Sequence, residues 1–189
     1  MELGVLDTCF IINWARFRLR EDIKRIFRRV VLVEPVLGEV KDTAAITLIG
    51  EWLAANYATI YPLTSDLEAH ARRLVEISIT LGFAPIIDFP EAYALVVSLE
   101  LGGVLVTDNK APKRLSELVS RGVRRLVEVL RDFPYDLGSS RIMDAVDVLL
   151  RIYGKERLLE VADMYTRDTG IVFSRRRLRD ALEGRQRTG

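Results

Sequence analysis

The sequence predicts an α/β fold, a three-layer α/β/α arrangement around a mainly parallel sheet, with a C-terminal helical extension. Three observations lead there. Short apolar, β-branched runs alternate with longer amphipathic stretches as far as residue 130, the pattern of strands joined by crossover helices. The chain has 189 residues, 49% of them hydrophobic, enough for one domain with a proper core. Acidic residues stand directly after two of the apolar runs, where open α/β sheets carry their sites.

The elements follow in order. Leu3, Val5 and Leu6 make a short strand, and Asp7-Thr8 starts a helix. Residues 10–30 read as that helix, because Phe10, Trp14, Phe17, Ile23, Ile26 and Phe27 fall near helical spacing between arginines. Residues 30–33 are β-branched and read as a buried strand. Pro35 opens a short helix carrying Val36, Glu39 and Val40; residues 44–57 give another, and residues 60–63 a strand. Ser65 caps a long helix ending near Leu81, and residues 82–90 are a loop. Residues 91–101 form an apolar helix that Gly102-Gly103 stops. Residues 104–107 are the clearest parallel-type strand, with Asp108-Asn109 at its end. A helix over 113–120 and a last strand over 125–130 complete a body of residues 1–132. Phe133-Pro134-Tyr135 marks the boundary to an extension of residues 133–189. Two helical stretches follow, over 140–153 and 155–165, then a turn at Asp168-Thr169-Gly170 and a final helix over 175–182 capped by Ser174. That extension is too short to bury a large core alone and is expected to pack on the body.

Composition excludes several chemistries. Cys9 and His70 are each the single residue of their type, so an intrachain disulfide and a Cys/His zinc site are out. A nucleophile–histidine arrangement would have to use His70, which lies mid-helix near Glu68, Arg72 and Arg73 and reads as solvated. Net charge is +1, so there is no global basic field. Arginines nevertheless crowd two stretches, Arg16 to Arg29 and Arg175 to Arg187, and read by themselves as solvated helix faces. No apolar run reaches the ~18 residues of a membrane span. Glu2 and Asp7 stand where a signal peptide would be basic and then apolar. The expectation is a cytoplasmic protein without a membrane contact.

Asp7, Glu39, Glu91 and Asp108 are the acids singled out by context, with Asn109 beside the last. Parallel strands that are adjacent bring Asp7 and Asp108 to one sheet edge, and a helix N-terminus aimed at that edge brings Glu91. At ~4 Å and an effective dielectric near 20, each like-charged pair costs about 4 kcal/mol. Raised pKa values or a cation must offset that. Oxygen ligands without histidine or cysteine select Mg²⁺ or Mn²⁺, and such a site can activate water against a nucleic-acid phosphate. Thr8 is placed to hydrogen-bond a ligand carboxylate or that phosphate. Each acid also has a plainer reading: Asp7 as an N-cap, Glu39 as a solvated helix residue, Glu91 as a partner of the helix dipole, and Asp108-Asn109 as a turn.

The run from Glu91 through Ser98-Leu-Glu-Leu-Gly-Gly-Val-Leu-Val-Thr-Asp-Asn-Lys, with Val5-Leu6-Asp7-Thr8 and Glu39 after Pro35, resembles the PIN-domain ribonucleases, particularly VapC-like toxins. The resemblance covers residues 3–131. It implies a metal-dependent endoribonuclease acting on single-stranded RNA, with Asp7, Glu39 and Glu91 as the first three acids of the site. The fourth acid would fall at Asn109, with Asp108 its neighbour, so either residue is a candidate ligand, and Asp88 is a possible outer contributor. The resemblance further implies Mg²⁺ or Mn²⁺ as cofactor, RNA as substrate, a homodimer and, for a toxin, an antitoxin protein as partner. Thr8, Thr107, Lys110 and Lys113 are then the substrate-binding candidates, with Arg16, Arg18 and Arg20 further out. Trp14 and Phe10 are either base-stacking or core residues. A housekeeping RNA-processing nuclease and a non-catalytic module binding RNA or protein are the alternatives.

Overall fold

The computed structural model describes residues 2–82 and 85–184. Five strands among the described residues form one sheet: β1 (Glu2–Leu6), β2 (Phe27–Val33), β3 (Ala58–Tyr61), β4 (Val104–Val106) and β5 (Ile142–Met143). Their order is β3-β2-β1-β4-β5, and every neighbouring pair is parallel. The chain moves outward from β1 through β2 to β3, then returns to the other side of β1 for β4. The topological switch point therefore lies between β1 and β4, where such sheets open a crevice at their C-terminal edge.

The strands are apolar throughout because helices cover both faces of the sheet. Alternate residues feed opposite cores: Leu6, Leu32, Val104 and Val106 enter one, Val5, Val31, Val33 and Leu105 the other. The first core is closed by α1 (Thr8–Arg16), α3 (Thr43–Ala54) and α8 (Ala145–Thr169). The second is closed by α4 (Ser65–Leu81), α5 (Phe89–Glu100), α6 (Lys110–Ser120) and α7 (Arg124–Val129). The short α2 (Glu34–Glu39) follows β2, and α9 (Arg175–Glu183) ends the described chain. Residues 91–98 of α5 are buried all round, which is why that helix is built of small and apolar residues. At the turn into β4, a side chain on Gly103 would stand 3.1 Å from the Leu3 carbonyl oxygen, so the close approach of β4 to β1 requires glycine there.

Several expectations change. The helix read over 10–30 ends at Arg16; a 3₁₀ turn at Arg20–Arg25 follows, and β2 begins already at Phe27. Phe17 turns into the core instead of continuing the helix, and the Trp14 indole N–H donates to the Arg20 carbonyl at 2.8 Å, folding the chain back on α1. Phe10 and Trp14 are fully buried and stacked at 5.1 Å, so they are core residues and not base platforms. The strand read over 125–130 is the helix α7: Val123, Leu126 and Leu130 repeat at three and four, and only one face packs. The fifth strand is β5, two residues inside the stretch read as helical, too short to leave a periodic signal. The segment beyond residue 132 thus completes the sheet, and α8 shares one core with α1. The break expected between the two helical stretches is present as a kink at Gly154, whose φ of 75° no other residue adopts without strain.

The basic stretches are largely tied down. Arg16 pairs with Asp42 at 2.6 Å, Arg20 reaches Glu51 at 3.9 Å, and Arg18 chelates Asp168 on α8 with its guanidinium and its backbone N–H. His70 packs edge-on against Phe133 and Tyr135, at 5.8 and 5.6 Å, instead of facing water. No helix among the described residues is long and apolar enough to cross a membrane.

The buried Arg177 anchors α9. Its Nε and Nη2 each donate to the Asp144 carboxylate at 2.7 Å, and Nη2 also meets Asp147 at 2.5 Å. Asp144 simultaneously caps α8, accepting the Asp147 N–H at 3.0 Å. Removing the guanidinium leaves that carboxylate buried without its charge partner. Arg177→Met is therefore expected to cost about 3 kcal/mol in urea unfolding. Arg177→Lys should recover only part of it, since an ammonium cannot bond both oxygens in parallel; equal stability of the lysine variant and wild type would contradict this account.

Candidate functional site

The site forms where the strand register delivers it. Leu6 pairs with Val106, so Asp7 and Thr107, the next residue on each strand, stand side by side at the sheet edge. The Thr107 hydroxyl donates to Asp7 Oδ2 at 2.7 Å, and the Cys9 thiol donates to the same oxygen at 3.0 Å. Asp7 occupies the N-cap position of α1, yet its side chain makes no capping bond. The carboxylate is turned away from the helix and is 4% exposed. Burial pushes the Cys9 thiol up to about 12, with the Asp7 charge adding to it, so this cysteine is a neutral donor and not a nucleophile.

Glu91 arrives from the other side. Asp88 caps α5 by accepting the Glu91 N–H at 2.9 Å, which fixes the first turn and frees the Glu91 side chain. That side chain is 6% exposed, and its Oε1 accepts a short hydrogen bond from the Asn109 amide. Burial raises the Glu91 carboxyl from the ordinary carboxylate range to about 7; repulsion from Asp88, Asp7 and Glu39 adds to the shift. Asn109 is itself fixed twice, its backbone N–H donating to Thr107 Oγ1 at 3.0 Å and its Oδ1 accepting the Ala111 N–H at 3.2 Å as the cap of α6. Glu39, the exposed last residue of α2, accepts from the Thr8 hydroxyl at 2.8 Å.

Asp7, Glu91, Asn109 and Glu39 thus meet with Thr8, Thr107 and Asp88 around one edge. Asp108 stands close enough for the Asp7 charge to repel it, but its side chain turns towards α8. Its Oδ1 accepts the Ala145 N–H at the start of α8 at 2.9 Å, and burial raises its carboxyl. Consecutive residues after β4 diverge, Asp108 towards α8 and Asn109 towards α5. Lys113 pairs with Asp147 at 3.6 Å, whereas Lys110 makes no ion pair among the described residues. Cys9 escaped the sequence reading as a site member; its position two residues after Asp7 was the available signal. Ile171 to Ser174 left no signal in the sequence, although they border the same edge through a cleft shared with Thr107 and Asn109.

Only oxygen donors are offered by the acids and Asn109, which fits a hard cation. In the arrangement described, the donors are closed on one another. Among the described residues no three acidic, histidine or cysteine side chains stand grouped as a metal ion would need. Admitting a cation requires the Asn109 amide to leave Glu91. No family model matches the chain, and no curated protein matches it.

The raised Glu91 carboxyl has a measurable consequence. Its folded pKa of about 7 exceeds its ordinary value of 4.5. The native state then holds a proton that the unfolded chain releases, and stability falls as pH rises through that window. In EDTA at pH 8, Glu91→Gln should be more stable than wild type by about 3 kcal/mol. The difference should vanish by pH 4.5, as followed by urea unfolding across pH. A gap independent of pH would reject the electrostatic account.

Proposed function

We propose that the protein is a Mg²⁺- or Mn²⁺-dependent endoribonuclease of the PIN type, working in the cytoplasm on single-stranded RNA. The observation that carries this reading is the meeting of Asp7, Glu91, Asn109 and Glu39 at the switch point between β1 and β4, with the charged form of Glu91 destabilised by burial and, beyond that, by its carboxylate neighbours. Carboxylates held together against their repulsion are suited to a divalent cation, which on binding neutralises them and draws negative charge from a phosphate under attack. Asp7 and Glu91 are the central ligands, and Asn109 contributes a neutral oxygen once its amide turns. Thr107 and Cys9 hold Asp7 in one orientation, and Asp88 holds the first turn of α5 beneath Glu91. Glu39, exposed and steadied by Thr8, is the carboxylate available to orient the attacking water and accept its proton. Lys110, without an ion pair among the described residues, stands at the rim as a cation for a flanking phosphate. A toxin neutralised by an antitoxin and an RNA-processing enzyme both suit this site, and an adjacent small antitoxin gene separates them.

A second reading is a PIN-like module that binds RNA or protein without cutting. The closure of Asn109 on Glu91, where the family pattern has an acid, favours it.

The test is cleavage of mixed single-stranded RNAs by purified protein in Mn²⁺, Mg²⁺ or EDTA. Cutting should require the cation, and Asp7→Asn or Glu91→Gln should lower it by more than the roughly 100-fold that losing an outer-shell partner costs. Asn109→Asp should tighten Mn²⁺ binding in calorimetry. Metal-independent cutting, or cutting that survives both substitutions, defeats the nuclease reading. A wild type that neither cuts nor binds Mn²⁺ transfers the assignment to the binding module.

A further inference from the structure

Beside the acidic cluster lies a cleft of about 360 Å³, within the roughly 300–1,000 Å³ of small-ligand pockets. Thr107 and Asn109 belong to both, so the two are continuous at the end of β4. The opposite wall comes from the segment between α8 and α9, which contributes Ile171, Val172, Phe173 and Ser174. That wall is apolar and partly uncovered: Val172 is 79% exposed and Ile171 37%. Phe173 is held in place by stacking on the buried Tyr165 at 5.3 Å, within 20° of parallel. The charges inside are mostly committed. Asp144 is taken by Arg177, Asp108 accepts from Ala145, and Lys113 is shared with Asp147; Arg114 and Glu117 line the cleft as well, and Lys110 makes no ion pair among the described residues.

An apolar wall anchored through Phe173, hydroxyl groups, and an exposed lysine beside the acidic edge match the parts of a single nucleotide. We propose that this cleft is the subsite for the nucleotide adjoining the scissile phosphate in single-stranded RNA. The base lies against Ile171, Val172 and Phe173, and its phosphate meets Lys110. This assignment rests on the nuclease reading and deepens it, since it makes the segment between α8 and α9 the determinant of which base is accepted next to the cut. Base stacking of this kind tolerates any base in principle, so selectivity falls to Ser174, whose hydroxyl lies at the base edge.

The experiment uses the full chain with its isoleucine and valine methyls labelled, titrated with AMP, CMP, GMP and UMP, beside Val172→Asp and Lys110→Gln. Both substitutions are on exposed side chains, so the fold is retained. The Ile171 and Val172 methyl resonances of the wild type should shift saturably, with one nucleotide preferred. Val172→Asp should bind at least roughly fivefold more weakly, the lower limit for loss of one base contact, and Lys110→Gln should bind more weakly through loss of the phosphate contact. In the RNA-cutting assay, Val172→Asp should flatten the base preference at one position next to the cut and raise KM more than it lowers kcat. Methyl resonances that do not move in the wild type, or an Ile171 methyl that moves equally in Val172→Asp, overturn the subsite whatever the cutting assay gives. Saturable shifts in a protein that does not cut support the nucleotide subsite and defeat only the nuclease.

Discussion

Leu6 is paired with Leu32 on one side and with Val106 on the other, and that parallel register is the constraint from which the candidate site follows. Because side chains alternate along a strand, a slip of one residue would exchange every core residue of β1 between the two faces. Val5 and Leu6 are both fully buried, in separate cores, so the register is held from both sides of the sheet. With it fixed, Asp7 and Thr107 have no freedom to stand elsewhere than side by side. The crossover from β3 back to β4 then leaves the first turn of α5 beside the same edge, and Glu91 with it. The candidate residues thus inherit their positions from the hydrophobic packing of the strand residues that precede them.

The same packing works against the charges it assembles. Glu91 is buried beside Asp7, Asp88 and Glu39, and burial together with like charge raises its carboxyl to about 7. Asn109 relieves this by donating an amide hydrogen, so a neutral residue stands where a further carboxylate would add repulsion. A folded chain that tolerates such a cluster carries a local instability, which natural proteins keep where function needs it. The cluster is consistent with two ways of removing the strain, protonation of Glu91 or capture of a cation, and neutral pH sits between them.

The fold class was legible because its signals are periodic and redundant. Apolar strands at 3–6, 30–33 and 104–107 and the long helix ending at Leu81 all have counterparts in the structure, although Ser65, expected as the cap of that helix, is its first residue and Thr64 holds the cap position. What failed were elements whose form depends on distant partners. The stretch after Arg16 keeps helical spacing but folds back, because Phe17 finds Trp14 and Tyr165 at 5.3 and 5.2 Å, a contact across some 150 residues of chain. β5 exists only because β4 offers it an edge, and two residues carry no period. At the site, Asp7, Glu39, Glu91 and Asn109 could be named from their positions after strands and in helix turns. Whether Asp108 or Asn109 faced Glu91 could not be named, since neighbouring residues point to opposite sides of a turn and α8, which draws Asp108 away, was read as part of an appendage.

That appendage is better understood as a second wall beside the acidic edge. Arg177 reaches from α9 to Asp144 and Asp147 at the start of α8, and Asp108 reaches from the end of β4 to Ala145 on the same turn. The end of β4, the start of α8 and α9 are therefore one bonded unit, and the segment carrying Ile171 to Ser174 is suspended between two of its members. Arg18 adds a third tie through Asp168, at the end of α8 next to that segment. Arginines that looked from sequence like two solvated faces, or like phosphate contacts, are spent in part on fixing this unit to the body. Ion pairs flank this wall on both sides, the Arg177 pair with a buried guanidinium and the Arg18 pair at the surface, and charge-assisted bonds of this kind hold it in one geometry. The extension thus shapes the ground beside the acidic edge, and the minimal sheet alone would leave that edge open on one side.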